Sequence, residues 1–359
     1  MHICIDGRVL EGSPRGMGLT LKAFLEVLGK IDQENKYTIL TNDRSEIHAS
    51  FSSNFVFREI YIPRGIGDVF VLPYYINRIS PDIAYFPENI VVPFIKKSIK
   101  VVVTIHDLMF FTEHQRLFSR QWFGAIYRQL GSYIAFRRAD CIHAYTNYIT
   151  NMLKEHTKKT TTKFLVLTHG VPRHENIEDN RFGDLQENQF FYTISGDTPN
   201  KAFPFLIEAY ASYRKKSQNP LDLWVTGVKD RIQTNGVFYT DYISEGEKQF
   251  LLRNCRAFIF LSKDEGFGMP PLEALYLQTR SLLTNIPVLK ELYGDVADFV
   301  EFGDVKNTSL EFLRLEKKPK EKFFDEDWLA RFSWEHIAKQ FLQEMEHLIK
   351  DQPKKGYVS

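Results

Sequence analysis

The segment Lys100–Ile105 contains an unbroken β-branched run, Val101-Val102-Val103-Thr104-Ile105. A strand is apolar along its whole length when both faces of its sheet are covered, as in a parallel sheet packed between helices. Other short apolar segments before and after this one likewise predict buried strands. In the first half we predict strands at His2–Ile5, Tyr37–Thr41, Phe55–Ile62, Asp82–Phe86, Lys100–Ile105, Cys141–Ala144 and Lys163–Leu167.

A second series of strands follows a polar stretch at about 172–188, which is rich in Asn, Glu, Asp and Gly and has no periodicity. We interpret this stretch as a linker between domains. Apolar residues at helical spacing, as in Leu19–Leu28 and Trp334–Ile349, lie between or after the strands. In the second half we predict strands at Phe190–Ser195, Leu221–Thr226, Gly236–Tyr239, Ala257–Leu261 and Arg280–Thr284.

Alternating strands and helices predict an α/β fold in which parallel sheets carry helices on both faces. We predict two Rossmann-like domains, 1–175 and 186–335, that face each other across a cleft. A C-terminal helix at about 336–350 is expected to pack back on the first domain. Ligands of open α/β sheets bind at the carboxyl ends of strands, so motifs just after strands are the best functional candidates.

The composition agrees with two globular domains, since the 359 residues are 43% hydrophobic and 25% charged. The cysteines, Cys4, Cys141 and Cys255, are far apart and form no CxxC pair, so we expect a reducing cytoplasm rather than disulfides or a zinc site. We expect no signal peptide, because the chain opens on a strand pattern, and no membrane span of ~20 apolar residues.

The net charge of +1 conceals an uneven distribution, because residues 1–172 hold 21 Lys and Arg against 15 Asp and Glu. This basic half would suit an anionic partner such as a membrane surface or a phosphorylated acceptor, unless the imbalance is chance. Within it, Arg116–Arg138 combines arginines with aromatic residues. That pattern is typical of a helix lying on an anionic membrane, and equally of an ordinary helix with core aromatics and arginines extending to solvent.

A chemistry-bearing segment follows the predicted strand Ala257–Leu261. Gly266 and Gly268 permit close approach of the backbone to a ligand, and Pro270 and Pro271 open a helix. A strand, a glycine turn and a helix N-terminus together form an anion-binding arrangement.

Two carboxylates, Glu265 and Glu273, flank this turn. They would repel a phosphate but can accept hydrogen bonds from hydroxyl groups, which suits a sugar and a ribose on either side of a diphosphate. The alternative is a helix start whose acidic residues complement the helix dipole.

The stretch Glu265-Gly-Phe-Gly-Met-Pro-Pro-Leu-Glu273 resembles the signature of glycosyltransferase family 4. The resemblance implies a retaining, metal-independent enzyme of the GT-B fold that uses a nucleotide-sugar donor. It makes Glu265 a catalytic residue that binds sugar hydroxyls and stabilises charge. It also implies donor contacts at Gly266, Phe267, Gly268, Met269, Leu272 and Glu273.

Two segments of the first half are similar to further parts of that family's pattern. Gly16 and Gly18 resemble the N-terminal glycine loop that faces the donor diphosphate, although Leu19 stands where the family often has Arg. His106, in His-Asp-Leu after the β-branched strand, matches a residue on the sugar and acceptor side of the cleft. The alternatives are an ordinary turn before a helix and a structural histidine.

In the second half, Lys201 matches the lysine that neutralises the donor diphosphate, with Asn200 where Arg is common. The cationic side of the site is therefore thinner than the family pattern, and the alternative is a surface lysine at a helix start. Tyr242 and Ile243 are candidates for contacts with the nucleotide base. Asp325-Glu-Asp327 fits a metal-binding Asp-x-Asp pattern, but a helix N-cap with an acidic first turn explains it better.

The resemblance implies transfer of a hexose from a GDP-, UDP- or dTDP-linked donor to a glycan or lipid-linked acceptor. Mannose from GDP-mannose is the first candidate, because enzymes with a similar N-terminal Asp-Gly-Arg and glycine loop often use it. The products would be surface polysaccharide or lipopolysaccharide, made in the cytoplasm or peripherally on the inner face of the plasma membrane. We expect no metal, no other cofactor and no nucleic-acid partner. Two alternatives stay open: a non-catalytic GT-B subunit that supports a partner transferase, and a nucleotide-sugar epimerase or phosphorylase of GT-B fold.

Overall fold

The computed structural model describes residues 1–12, 16–48, 51–63, 65, 67–88, 93–106, 137–157, 162–171, 181–196, 198–228, 233, 235–241, 243–318 and 326–350. The chain divides into two compact units, Met1–Gly170 with Ala330–Ser359, and Val171–Leu329. The sequence placed the end of the first domain at 175 and that of the second at 335, five and six residues beyond these divisions, and the start of the second at 186, fifteen residues after Val171.

The first unit is built on a parallel sheet, as the sequence predicts. Over its described residues the strand order is β3-β2-β1-β4-β5-β6-β7. The strands are β1 His2–Asp6, β2 Lys36–Thr41, β3 Phe55–Glu59, β4 Ile83–Phe86, β5 Lys100–Ile105, β6 Cys141–Ala144 and β7 Lys163–Val166. Among the described residues before 171, this unit has helices α1 Met17–Ile31, α2 Leu72–Ile79 and α3 Asn147–Thr157, with a π-helical turn at Gly67–Val71 before α2.

The β-branched strand β5 lies inside this sheet, between β4 and β6, and Val101, Val102 and Val103 are fully buried. The two-sided cover inferred from its composition is therefore confirmed. The predicted strand Phe55–Ile62 is too long, because pairing ends at Glu59. The amide of Ile62 donates instead to the Asn42 side chain, at 2.7 Å.

The second unit contains another parallel sheet, whose described strands follow the order β10-β9-β8-β11-β12-β13. These strands are β8 Phe190–Ile194, β9 Asp222–Thr226, β10 Val237–Thr240, β11 Ala257–Phe260, β12 Ser281–Thr284 and β13 Asp298–Val300. The helices described in this unit are α4 Phe203–Arg214, α5 Glu245–Asn254, α6 Met269–Tyr276, α7 Pro287–Tyr293, α8 Val305–Lys317 and α9 Glu326–Ala330.

Each sheet has a point at which the strand order reverses, between β1 and β4 in the first unit and between β8 and β11 in the second. Connections leave the sheet in opposite directions on the two sides of such a point, which opens a crevice at the carboxyl ends of the strands. The segments that follow β8 and β11 therefore define where a ligand of the second unit is expected.

A last helix, α10 (Trp334–Lys350), returns to the first unit and joins its core beside α1. Trp334 is buried, and its ring passes so close to Gly170 that a Cβ built on this glycine would lie 2.2 Å from the ring. The glycine is thus required by contact with the indole, and it fixes where the returning chain packs.

Candidate functional site

The carboxyl ends of β8 and β11 bring Lys201 and Glu265 together. Lys201 ends a 3-10 turn, Pro199–Lys201, and its ammonium nitrogen Nζ lies 2.6 Å from Oε1 of Glu265. The same ammonium sits 4.9 Å from the ring centroid of Phe260, within range of a cation–π contact. The lysine side chain is about one quarter exposed and that of Glu265 about one tenth, so the pair is reachable from solvent but partly desolvated.

Asn200, which stands where the family pattern often has Arg, connects the two loops. Its carbonyl accepts a hydrogen bond from the amide of Lys263 at 2.7 Å, and its side-chain amide lies 3.5 Å from the carbonyl oxygen of Asp264. The residue thus holds the Lys201 loop against the Glu265 loop, while supplying no charge.

The glycine turn is set by Gly268, which caps α6 with a φ of +86°. A Cβ there would lie 2.7 Å from a methyl group of Leu289, and the Gly268 carbonyl accepts a hydrogen bond from Tyr293 at 2.8 Å. The backbone conformation and the close packing both require glycine. Gly266 has an ordinary negative φ, so the argument from backbone freedom applies to Gly268 only.

The start of α6 offers fewer donors than the sequence expectation implied. Of its first four residues, Pro270 and Pro271 carry no N–H, which leaves the amides of Met269 and Leu272 and the helix dipole to face an anion. The side chains of Leu272 and Phe267 are buried in the core. Any contact that these two residues make with a donor must therefore come from their backbone.

Glu273 is the fifth of the eight residues of α6 and pairs with Lys248 of α5, a residue that no sequence motif indicates. Lys248 Nζ lies 2.7 Å from Oε2 of Glu273 and 2.7 Å from Oε1 of Glu245. Burial raises the pKa of Glu273, and the Lys248 charge opposes this rise. Burial also disfavours the charged ammonium, but the two carboxylates outweigh it and raise the pKa of Lys248.

Of the two candidate base contacts, Ile243 lies one residue before the N-cap of α5 and is half-buried. That cap is a capping box, in which Ser244 and Glu247 bond reciprocally to each other's backbone amides. Tyr242 lies outside the described residues.

In the first unit, His106 follows β5 directly, as the sequence predicted. Its Nε2 lies 2.6 Å from the carbonyl oxygen of Pro87. A carbonyl only accepts hydrogen bonds, so Nε2 carries a proton and donates it. His106 also belongs to an aromatic cluster with Tyr145 and His169. Within this cluster, the rings of Tyr145 and His169 stack with their centroids 3.7 Å apart.

Next to this cluster, a chain of hydrogen bonds runs from strand to strand across the sheet. His143 Nε2 donates to the Leu167 carbonyl at 3.0 Å, and burial lowers the pKa of this histidine to about 4, so the ring is neutral. Nδ1 is then an acceptor for the Thr104 hydroxyl at 3.0 Å, and Tyr85 donates to Thr104 at 3.0 Å. The chain ties together the carboxyl ends of β4, β5, β6 and β7.

The cluster borders a small pocket that is partly open to solvent. One wall is formed mainly by apolar residues of α1 and α10, and the other mainly by aromatic and imidazole side chains at the carboxyl ends of the strands or just after them. The main lining residues are Met17, Leu21, Phe24, Trp334, Ile337, Phe341, Tyr85, His106, His143, Tyr145 and His169.

Gly16 and Gly18 occupy the start of α1 rather than a loop. Gly16 is the N-cap, with a φ of +48° and open space where its Cβ would lie, and Gly18 is buried inside the first turn. The predicted helix Leu19–Leu28 therefore begins two residues too late. Leu19, in the position of the family's Arg, is about half exposed, and Arg15 lies outside the described residues.

The acidic and histidine side chains bear on the expectation about metal binding. In the part of the chain that the structure describes, no group of three or more His, Cys, Asp or Glu could hold a metal ion. Asp327 lies in the acidic first turn of α9, as predicted, and Asp325 is outside the description.

The segment Arg116–Arg138 is described only at its end. There Arg138 donates to the carbonyls of Lys96 and Ile99, both at 2.7 Å, and pairs with Asp140 at 3.0 Å. This arginine is thus engaged within the fold rather than presented to a membrane. None of the described helices is both long and apolar enough to cross a bilayer.

Comparison with known proteins gives a sequence family for part of the chain. Residues 176–322 match the family described as "Glycosyl transferases group 1". The serotype-specific mannosyltransferase WbdA of Escherichia coli is 23% identical over 351 residues, which cover 82% of this chain and 41% of that protein. The O-antigen chain mannosyltransferase RfbU of Salmonella typhimurium strain LT2 is 21% identical over 251 residues, 66% of each chain. The chain thus spans about two fifths of the length of WbdA.

Solved structures give the fold. Sucrose-phosphate synthase from Thermosynechococcus elongatus superposes with a TM-score of 0.70 at 15% sequence identity. The superposition covers 98% of this chain and 100% of the synthase chain. WaaG, a glycosyltransferase involved in lipopolysaccharide biosynthesis, superposes with a TM-score of 0.63 at 12% sequence identity, over 97% of each chain. The two Rossmann-like units therefore form the domain pair of the GT-B fold. Residues 176–322 are thus similar to the group 1 glycosyl transferases, and both relatives named here carry the name mannosyltransferase.

Proposed function

We propose that this protein is a retaining, metal-independent glycosyltransferase that transfers a hexose from a nucleotide sugar to a glycan or lipid-linked acceptor. Mannose from GDP-mannose is the first candidate donor, since the relatives WbdA and RfbU carry the name mannosyltransferase. The products would belong to surface polysaccharide or lipopolysaccharide, made peripherally at the inner face of the plasma membrane.

The observation that carries the proposal is the pairing of Lys201 with Glu265 at the strand-order reversal of the second unit. A cation and a hydroxyl-accepting carboxylate, 2.6 Å apart, suit the junction between a phosphate and a sugar. The lysine faces the diphosphate oxygens, and Glu265 accepts hydrogen bonds from the hexose hydroxyls. The neighbouring amides of Met269 and Leu272 and the dipole of α6 add partial positive charge.

Transfer breaks the bond between the anomeric carbon and the diphosphate oxygen, and negative charge develops on that oxygen. Lys201, already placed by Glu265 and Phe260, stabilises this charge without reorganisation during the reaction. The departing phosphate oxygen takes the proton of the acceptor hydroxyl, which attacks from the same face, so the configuration at the anomeric carbon is retained. Glu265 stabilises the positive charge that forms on the sugar ring.

For the acceptor we propose the first unit. His106 presents an imidazole with a defined proton position, because Nε2 is committed to the Pro87 carbonyl. The pocket beside it joins aromatic and apolar walls, and aromatic faces bind the apolar faces of sugar rings. Gly16 and Gly18 at the start of α1 are proposed to approach the donor phosphates, as the resemblance implies.

The proposal is tested by incubating the protein with GDP-mannose, UDP-glucose or dTDP-glucose and lipid-linked glycan acceptors, with product analysis by NMR. We expect a glycosylated product from one donor class, with an α-linkage from an α-linked donor. The matched control E265Q should give little product. An inverted linkage overturns the retaining mechanism, and donor conversion in the absence of acceptor overturns transfer in favour of an epimerase.

A further inference from the structure

Lys248 occupies an unusual position between two helices of the second unit. Its ammonium lies 2.7 Å from a carboxylate oxygen of Glu245 on its own helix α5, and 2.7 Å from one of Glu273 on α6. The side chain is about one fifth exposed, so the triad is mostly removed from water. One ammonium therefore pairs with two carboxylates, and the three charges sum to −1.

This charge balance does not suit a phosphate ligand. A cation that binds phosphate presents a net positive field, whereas Lys248 is outweighed by its two carboxylates. The lysine therefore acts on the Glu273 carboxylate rather than on a phosphate of a ligand. A buried ammonium next to a buried carboxylate favours the ionised form of that carboxylate.

The surroundings of Glu273 otherwise favour its neutral form. Burial raises its pKa, and the nearby charge of Glu245 raises it further, so that Lys248 supplies the opposing influence. The hydroxyls of Tyr192 and Tyr293 also lie within electrostatic range of Glu273, and burial raises the pKa of both, so they stay neutral. Glu247 of α5 is turned toward Arg181 and the helix cap.

We propose that Lys248 is a positioning residue that keeps the Glu273 carboxylate charged and oriented to accept hydrogen bonds from the ribose hydroxyls of the donor nucleotide. The inference rests on the proposed use of a nucleotide-sugar donor, with Glu273 as the donor contact that the sequence resemblance implies. It deepens that proposal by naming a residue that determines recognition of the ribose of the donor nucleotide. A charged carboxylate accepts from two hydroxyls, whereas a protonated one has a weaker acceptor and a donor of its own.

A specific consequence is selectivity for ribose. Removing Lys248 should weaken binding of a ribonucleotide by about tenfold, because charge-assisted hydrogen bonds are lost. The same change should alter binding of a 2′,3′-dideoxynucleotide by less than about twofold, since that ligand offers no hydroxyl to Glu273. General damage to the fold or the phosphate site would weaken both ligands alike.

The test is calorimetric titration of GDP, 2′,3′-dideoxy-GDP, UDP and 2′,3′-dideoxy-UDP into the full chain and its variants. K248M should lose the preference for the ribonucleotide, and K248R, which keeps the charge, should restore much of it. K306M, at an exposed lysine of α8, is the matched control and should keep the wild-type preference. Should K248M fail to fold, E245Q/K248M removes a carboxylate together with the cation and carries the same expectation.

A double-mutant comparison separates positioning from direct contact. E273Q should lose the ribose preference, and adding K248M to E273Q should produce no further change in it. The role of Lys248 is overturned if K248M weakens the binding of ribo- and dideoxynucleotides equally. It is also overturned if adding K248M to E273Q lowers the ribonucleotide preference further. Wild-type protein that binds neither GDP nor UDP overturns the proposed function together with this inference, which distinguishes the two failures.

Discussion

The ammonium of Lys201 lies 2.6 Å from Oε1 of Glu265, although 64 residues separate them in sequence. The contact exists because β8 and β11 are neighbours at the strand-order reversal, so that the loops after them meet. An approaching diphosphate would draw the lysine toward its oxygens and leave Glu265 to the hexose. Under the proposed function, the pair would couple binding of the donor phosphate to exposure of the carboxylate.

Replacing the cation of this pair should impair turnover more than folding. We predict that K201M lowers kcat by about 10²–10³-fold, the range found for loss of one preorganised group that stabilises a leaving or oxyanionic oxygen. The measurement is initial rate with saturating donor, alongside Tm. The exposed-lysine variant K306M should retain wild-type kcat, and a K201M kcat within about twofold of wild type would contradict the assigned role.

The turn at Gly268 can be tested against a glycine of matching conformation. Gly268 and Gly303 have φ values of +86° and +87°, but a Cβ would clash with Leu289 only at Gly268, since nothing lies within 4 Å at Gly303. G303A should cost about 1–2 kcal/mol of unfolding free energy from backbone strain alone. G268A should cost about 1–3 kcal/mol more, from overpacking. Chemical denaturation of both variants measures the difference, and equal costs would show that the turn tolerates a side chain.

The contact between Gly170 and Trp334 makes a prediction about the returning helix. G170A would place a methyl group 2.2 Å from the indole ring, so we expect a loss of about 1–3 kcal/mol in unfolding free energy. Adding W334L to G170A should recover part of this loss, because the smaller side chain makes room. Urea unfolding of the single and double variants tests this, and strictly additive losses would argue against a direct clash.

Acid stability should follow the buried imidazole of His143. Its folded-state pKa of about 4 lies below the ordinary value of 6.5, because burial disfavours the charged ring. The stability that depends on the neutral ring is complete above pH 6.5 and decreases by about 1.4 kcal/mol per pH unit as the pH falls toward 4. Urea unfolding between pH 7 and pH 4 measures the slope.

A variant shows whether this histidine contributes to that slope. H143Q should make the dependence shallower without abolishing it, because burial also lowers the pKa of His169. An unchanged slope in H143Q would place the acid sensitivity elsewhere in the chain.

The sequence predicts strands best where burial is two-sided. Lys100–Ile105 and Cys141–Ala144 have the predicted bounds, because a continuous apolar run marks a covered parallel strand. The edge strand β13, Asp298–Val300, escaped prediction because it has three residues and opens on an aspartate that binds Arg280 and Arg314.

The sequence predicts those residues of the candidate site that lie in continuous motifs. The segment Glu265–Glu273 and the cation at Lys201 stand next to strands, so they could be placed from the sequence. Lys248 could not, because its pairing with Glu273 depends on how α5 packs against α6. The chain from Tyr85 through Thr104 to His143 likewise depends on strand order, which no local pattern contains.

The most direct test of a nucleotide-sugar site around Lys201 and Glu265 is a thermal-shift panel of UDP, GDP, dTDP and ADP sugars on the wild-type chain. We predict a rise in Tm with sugars of one base, GDP first, because a ligand that binds only the folded state stabilises it. The rise should be reduced in K201M and E265Q. No shift with any of the four classes would contradict the account and favour a subunit that does not bind a donor.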